Sequence, residues 1–391
     1  GNGLVVNGTG TVSVADGDLT VSAGGMTLNG SGTVGSSGAG SVTINAGGLA
    51  WAGTASSAVT LSGSGGLVVT GNYTQSAGAH GTVTVGSGGV TVSGTLTNYD
   101  LLQVTGGNLT VSGAGANTNA GTIVTVTSGT QTYTGTMTNS GTITGVGLIS
   151  FNGGITSSGT VNLGTGGATV SGAAANFTGG TVDFAGSGSA TLTVNGVSIS
   201  FSGATIQNAT SIDTIVISGG GAQTLDSGGQ VLPSVQVNKS GGTVQLVNNS
   251  VTQAASSTLS FTCTGSTSLD LATNSLSWTL QSGVTVNNFV TMNIGSGTLD
   301  GGQALTVSGT GVLTHTTGTL DVSSLSYTSS DVSTLGSGVV TVTGSLTMNG
   351  TGSLTQTGDN GANAQSVGSI SVSNGTLSWD SGSAGGTLVV G

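Results

Sequence analysis

The stretch Asp18-Leu19-Thr20-Val21-Ser22, followed by Ala23, the pair Gly24-Gly25 and then Met26-Thr27-Leu28, decides the fold. Successive side chains of an extended chain point to opposite sides, so Leu19 and Val21 share one face and Asp18, Thr20 and Ser22 the other. The glycine pair breaks the run and allows a sharp corner, because glycine has no Cβ to clash at positive φ. The alternation then resumes. The same unit returns as Val42-Thr43-Ile44, Val83-Thr84-Val85, Val90-Thr91-Val92, Leu109-Thr110-Val111, Leu192-Thr193-Val194 and Leu305-Thr306-Val307. Each is a short apolar–hydroxyl–apolar strand ended by Gly or Asn.

These strands are shorter than the common length of about 5–6 residues. Short parallel strands separated by frequent corners fit an all-β chain wound as a right-handed parallel β-helix (a β-solenoid), in which each strand pairs with the coils before and after it. Coils of roughly 20 residues would give roughly 18–20 coils in this length. The interior columns would be Val, Leu and Ile, with Thr, Ser and Asn ladders facing water. An array of β-sandwich domains is the alternative, but it should carry linkers, and the chain has one proline, Pro233, and no charged linker. The glycines keep no three-residue period, which excludes collagen. Low charge with abundant Val and Thr excludes disorder.

Composition shifts along the chain divide it into three stretches. Residues 1–206 are dense in Gly pairs. Residues 207–256 contain Pro233, Lys239 and Asn248-Asn249, and read as a register change or as coils with longer loops. From 257 to 391 the apolar stripes are spaced more widely. The opening Gly3-Leu4-Val5-Val6-Asn7 and the closing Gly386-Thr387-Leu388-Val389-Val390-Gly391 read as ordinary rungs without polar caps. They suggest either a piece of a longer chain or head-to-tail stacking of subunits.

Charge sets the next limits. The chain has one Lys, Lys239, no Arg, no Glu and twelve Asp, for a net charge of -11. One Lys cannot neutralise a phosphate backbone, so no nucleic-acid partner is expected, and anionic membrane surfaces are disfavoured for the same reason. No apolar run approaches 18 residues, so no transmembrane helix is expected. No basic segment followed by an apolar one marks a secretory signal at the start of the sequence. The single Cys263 cannot form an internal disulfide.

Candidate sites for chemistry are few. The closest carboxylates are Asp16 and Asp18, in Asp16-Gly17-Asp18, which could contribute to a Ca²⁺ site. Calcium takes about 6–8 oxygen ligands, and the default for this pair is solvated turn acids. Asp183 takes a polar-face position between Val182 and Phe184; Asp100, Asp300, Asp321 and Asp359 read as solubilising charges at strand ends or turns. His80 and His315 have no ligating neighbours in sequence and read as isolated surface or turn histidines. Cys263 shares a face with Phe261 and reads as a small core residue. Lys239 reads as a solvated loop lysine, with an isopeptide crosslink to Asn or Asp as the sharper alternative. Trp51, Trp278 and Trp379 each follow a Leu by two residues and read as core rather than as a sugar platform. Thr holds no constant interval, which argues against an ice-binding face. Ten Asn-x-Ser/Thr matches, including those at Asn7, Asn72, Asn108 and Asn349, permit glycosylation. No catalytic residue and no cofactor site is read from the chain, and no enzymatic activity is expected.

The segment Gly135-Thr136-Met137-Thr138-Asn139-Ser140-Gly141-Thr142-Ile143-Thr144 resembles the degenerate repeats of bacterial autotransporter and filamentous-haemagglutinin-type adhesins. The stretches Lys239-Ser240-Gly241-Gly242-Thr243-Val244 and Leu269-Asp270-Leu271-Ala272-Thr273-Asn274-Ser275-Leu276 are similar to repeats of large secreted microbial surface and matrix fibre proteins. The resemblance implies an exported right-handed β-helix serving as a stalk, adhesin or fibre, and it fixes no catalytic residue. The expected role is an extracellular, cell-surface structural fibre or surface-layer subunit that self-associates end to end. The alternatives are the stalk of an adhesin that binds glycans or other cells, and a polysaccharide-active β-helix enzyme.

Overall fold

The computed structural model describes residues 2–52, 55–78, 80–184, 188–357, 365–379 and 388–390. The chain is all-β, with no helix among the described residues, and its parallel sheets stack as a β-solenoid of about 17 turns. That is slightly fewer than the expected 18–20, because many coils exceed 20 residues. Ala58 stacks on Thr33 and Leu67 on Val42, each 25 positions later, whereas Ile149 stacks on Gln131 after only 18. The extra length sits in the corners, so the strands stay in register.

Two compact units are distinguished: Gly1–Gly196 with Gly203–Asn208, and Val197–Ser202 with Ala209–Gly391. In the first, each coil has three short strands, one on each of three parallel sheets. The coil Leu96–Asn98, Leu101–Val104, Leu109–Val111 is typical. Its strands pair in parallel with Asn117–Asn119, Thr122–Thr125 and Gln131–Tyr133 of the next coil. Sheet strands stack about 4.8 Å apart, so each coil rises by one strand spacing.

Alternation decides what is inside. Leu102, Val104, Leu109, Val111, Ile123, Ile143 and Ile149 are fully buried. Thr20, Thr43, Val68, Thr91, Thr110, Thr132, Ser150, Thr169 and Thr193 form one outward column on a single sheet. The uneven Thr intervals in the sequence therefore conceal a straight column. A similar outward column, from Thr122 through Thr142, Thr160 and Thr181 to Thr205, runs up another sheet. Outward threonine columns thus run up more than one sheet rather than marking one special face.

The second unit changes its winding. Its coils begin with short strands such as Leu259–Phe261 and Ser277–Thr279. Then Ser277–Thr279 and Val284–Val286 both pair with one long strand, Thr298–Gly309. From there two faces are merged into one: the long strands Thr298–Gly309, Thr319–Ser329, Val339–Met348 and Gln365–Val372 stack in parallel. The opposite face keeps four-residue strands, Val312–His315, Val332–Leu335, Ser353–Gln356 and Thr376–Trp379. The lost corner survives as a column of bulges, with register shifts between Leu299 and Ala304, Val322 and Leu325, and Val342 and Ser345. A bulge bends a strand without ending it. Gly301 and Gly302, both at positive φ (109° and 60°), make the first of these bends.

Of the two end stretches, Leu4–Gly8 pairs in parallel with Met26–Gly30, and Leu388–Val390 with residues of Gln365–Val372. No helix among the described residues is long and apolar enough to cross a membrane. Asp359 lies outside the described residues.

Candidate functional site: buried polar ladders

Asn98, Asn119 and Asn139 occupy inward strand positions and are 0% exposed. The expectation that Asn ladders face water is corrected here. In Met137-Thr138-Asn139 the alternation that buries Met137 also buries Asn139, and a buried amide is tolerable only if it is hydrogen-bonded. Each Nδ2 solves this in the same way, while Asn98 Oδ1, at the start of the ladder, has no partner. Asn98 Nδ2 donates to Asn119 Oδ1 (2.8 Å), Asn119 Nδ2 to Asn139 Oδ1 (2.7 Å), and Asn139 Nδ2 to Ser157 Oγ (3.0 Å). Each Nδ2 also reaches the carbonyl two residues on, at Asp100, Gly121 and Gly141 (2.8, 3.2 and 3.3 Å). A third contact reaches the carbonyls of Thr122, Thr142 and Thr160 in the following coil (3.4, 3.1 and 3.2 Å). Gln75 stands before the ladder, its Oε1 accepting the N–H groups of Tyr99 and Asp100, both at 3.0 Å. Phe177 takes the position after Ser157 in register.

The corner beside this ladder is a column of glycines in close approach. A Cβ on Gly121 would lie 2.2 Å from Asp100 O, one on Gly141 2.0 Å from Gly121 O, and one on Gly159 2.1 Å from Gly141 O. The Asn-x-Gly-Thr signature therefore has two parts. Asn pins the turn from inside, and Gly lets successive turns lie carbonyl over Cα.

A second buried network lies in the second unit. Asp226 is 3% exposed. It accepts from Ser200 Oγ (3.3 Å), Gly228 N (2.9 Å), Asn248 Nδ2 (2.9 Å) and Asn249 Nδ2 (2.9 Å). Burial alone would raise its carboxyl pKa, but these donors outweigh burial and hold it below the usual value.

Lys239 is not the solvated loop lysine expected. It lies in the strand Ser234–Lys239 at 1% exposure, with Nζ donating to Gly221 O (2.7 Å) and Gln223 Oε1 (2.5 Å). Burial lowers its pKa, opposed by the nearby Cys263. The ammonium is held by two neutral oxygens, and neither is an Asn or Asp side chain of the kind an isopeptide bond was expected to use.

His315 is likewise not a surface histidine. It is 0% exposed on the strand Val312–His315, and neither ring nitrogen makes a well-formed hydrogen bond. Burial lowers its pKa, with the Gly318 backbone opposing. His80 is exposed. Cys263 sits just past the strand Leu259–Phe261 and is half-buried rather than core, its Sγ 3.4 Å from Val237 O.

Asp16 and Asp18 are exposed corner residues. Asp16 Oδ1 accepts Ala39 N (3.2 Å) and Asp18 Oδ1 accepts Ser41 N (2.9 Å), each one coil on. Asn72 and Asn108 do the same for Thr95 N (3.0 Å) and Thr130 N (2.9 Å). Asp183 is half-buried between Val182 and Phe184, and its Oδ1 accepts from Asn208 Nδ2 (2.8 Å). Trp51 and Trp278 are core, as expected, with Trp51 packed on Tyr73 at a ring distance of 4.9 Å, and Trp379 is half-buried. Among the described residues no three His, Cys or Asp side chains come together as a metal site would require. A concavity of about 310 Å³, lined by Thr136, Met137, Thr138, Ile155, Thr156 and Asn176 among others, contains no titratable group.

The geometry defines a parallel β-solenoid whose conspicuous polar groups tie one coil to the next. No protein-family model, curated protein or solved structure matches the chain.

Proposed function

We propose that the chain is a structural segment of an extracellular fibre or surface layer at the cell surface, associating head to tail. The observation that carries this reading is the Gln75–Asn98–Asn119–Asn139–Ser157 ladder. Its buried side chains spend their hydrogen bonds on coil-to-coil cohesion and face inward, away from any substrate. Further support comes from the surface. The one Lys is buried, so the folded chain offers trypsin no accessible Lys, which suits a fibre exposed to proteases. A solenoid's terminal coil also presents unpaired strand edges, which a second copy can cover. The likeness of 135–144 to autotransporter and haemagglutinin-type repeats points the same way.

The test is negative-stain electron microscopy with sedimentation of the purified chain. Unbranched filaments that lengthen with concentration are expected. Rods that remain monomeric at high concentration would overturn the association, and release of reducing ends from polysaccharides would overturn the structural reading itself. The adhesin-stalk reading is kept second because two aromatics, Phe289 (50% exposed) and Tyr99 (40%), lie at the surface.

A further inference from the structure

In the first unit the sheet that starts at Leu19–Val21 carries the outward column from Thr20 to Thr193, one residue from each coil. The intervals in sequence are uneven, yet no register shift interrupts the stacking. A second rank lies two residues further on in every coil, from Ser22 through Thr70, Ser93, Ser112 and Thr134 to Asn195. The main chain holds this rank in the same ladder. Thr70 N donates to Ile44 O (2.8 Å), Ser93 N to Val69 O (2.8 Å), Ser112 N to Val92 O (2.9 Å) and Thr134 N to Val111 O (2.9 Å). Both ranks reach solvent: the second is exposed apart from the half-buried Ser171, and the first is exposed or half-buried throughout.

Composition sets this face apart. Every residue of the two ranks is Ser, Thr or Asn except Val68, and none is charged. Of the positions two residues before the column, only Asp18, in its first coil, carries a charge. The other two sheets lack this uniformity. Leu101 stands below Thr122 in the second threonine column, with Gln103, Val124 and Asp183 beside it. On the remaining sheet Ala50 stacks on Thr27, and the exposed Tyr99 follows Thr97.

The pattern selects a ligand. Without charge the face has no counter-ion for a metal, an anion or a polyelectrolyte. Without an aromatic ring it has no platform on which a sugar ring would stack. It offers a two-dimensional array instead, repeating about every 4.8 Å from coil to coil and about every 6.6 Å between alternate residues of a strand. Each threonine holds a hydroxyl and a methyl group on a β-branched side chain with few rotamers. The hydroxyls hydrogen-bond water and the methyls only confine it, so the array orders a layer of water where a charge would gather a radial shell. Water oxygens on a prism face of hexagonal ice repeat at closely similar distances along two perpendicular directions.

We propose that this double rank binds ice. Its ligand is the crystalline surface of water, met by the hydroxyls and methyls of Thr43, Thr91, Thr110 and Thr132 and by the neighbouring Ser, Thr and Asn side chains. The face runs along the coils and not at their ends, so the assignment goes beyond the fibre role and is independent of whether the chain polymerises.

Adsorption to a single crystal of ice tests it, using the whole chain labelled with a fluorophore at its α-amino group, together with the thermal hysteresis of the same sample. Adsorption and a gap between melting and freezing points are expected. Thr110→Lys and Thr134→Lys each set a long charged side chain into the array and should lose both. Thr138→Lys, at an exposed position on another sheet, should keep both. No adsorption by the parent, undiminished adsorption in Thr134→Lys, or equal loss in Thr138→Lys overturns the assignment. Retention on microcrystalline cellulose or chitin in place of ice overturns it as well. Should Thr110→Lys lose its β circular dichroism, Thr134→Lys, at an exposed position, decides.

Discussion

The coil around Asn119 and the coil around Leu320 solve the same problem differently. Both must turn a chain back onto itself at one strand spacing per coil. Around Asn119 the coil has three short strands and real corners, and the corner after Asn119 is pinned by a buried amide and relieved by a stacked glycine. Around Leu320 a corner has been replaced by a bulge inside the strand Thr319–Ser329, and apolar residues such as Leu320, Val322, Leu325 and Tyr327 fill the interior. The corner after Asn119 gives its main-chain carbonyls a buried donor, as the corners at Gly336 and Gly338 do in the second unit. A bulge keeps most of the ladder.

The largest effect expected from this contrast is in Asn119→Ala. It strips a donor from Asn139 Oδ1, Gly121 O and Thr142 O and an acceptor from Asn98 Nδ2, all in the interior. Buried groups left unpaired cost about 1–3 kcal/mol each before relaxation, so a loss of about 3–5 kcal/mol is expected. Hydrogen exchange should quicken in the coils spanning residues 98–142 and leave 298–348 unchanged. Uniform quickening would mean that the ladder is not a local device.

Next comes Asp226→Asn, which sets an amide among donors that now point at a carboxylate. A loss of about 1–3 kcal/mol at neutral pH is expected. The carboxyl pKa in the fold is lowered, so the stability it supplies is complete above the ordinary value of about 3.9 and is lost as pH falls through the lower folded value. Acid unfolding of the parent should therefore carry a component below about pH 4 that Asp226→Asn lacks, and identical acid titrations would remove this network from the account.

A paired substitution probes the corners themselves. Gly141→Ala would push a Cβ to 2.0 Å from Gly121 O, whereas Gly302→Ala meets nothing within 4 Å and suffers only from its φ of 60°. Overpacking between coils costs typically about 1–3 kcal/mol, against about 1–2 for one left-handed residue. Denaturant midpoints should fall further for Gly141→Ala. The reverse order would show that the stacked corner relaxes more easily than the bulge.

Much of this architecture was legible in alternation alone. Leu19-Thr20-Val21 and its copies identify strand, face and winding, because side-chain parity depends only on sequence. The inward polar residues were not legible. Asn139, Lys239 and His315 were read by type, as turn or surface residues, although each follows an apolar residue by two positions: Met137, Val237 and Leu313. Parity was the better guide for all three: neighbouring coils hold Asn139 and Lys239 by hydrogen bonds, and His315 is buried without one. The repeat Asn119-Ala120-Gly121-Thr122 and Asn139-Ser140-Gly141-Thr142, 20 residues apart, was the available signal. The missing ladder between the strands Leu259–Phe261 and Val284–Val286 had none, because pairing between coils depends on corner geometry that residue type does not encode.

His315 gives the smallest effect and the one that most sharpens the contrast. It stands in the two-faced coils, where the buried Ser329, Gln356 and Gln365 donate to the carbonyls of Gly311, Gly336 and Gly338, whereas its own ring nitrogens make no such bond. The ladder amides are retained for their bonds, but this imidazole makes none. Burial lowers its pKa, so the stability linked to it is present above the unfolded value of about 6.5 and is lost as pH falls through the lower folded value. His315→Leu, of similar bulk and without an unpaired N–H, should raise the denaturant midpoint by an amount equivalent to about 1 kcal/mol and flatten the stability profile below about pH 6.5. The matching change in the three-strand coils, Asn139→Leu, should destabilise instead. If both substitutions move stability in the same direction, the distinction between a buried polar group held by coil-to-coil bonds and one without a partner is lost.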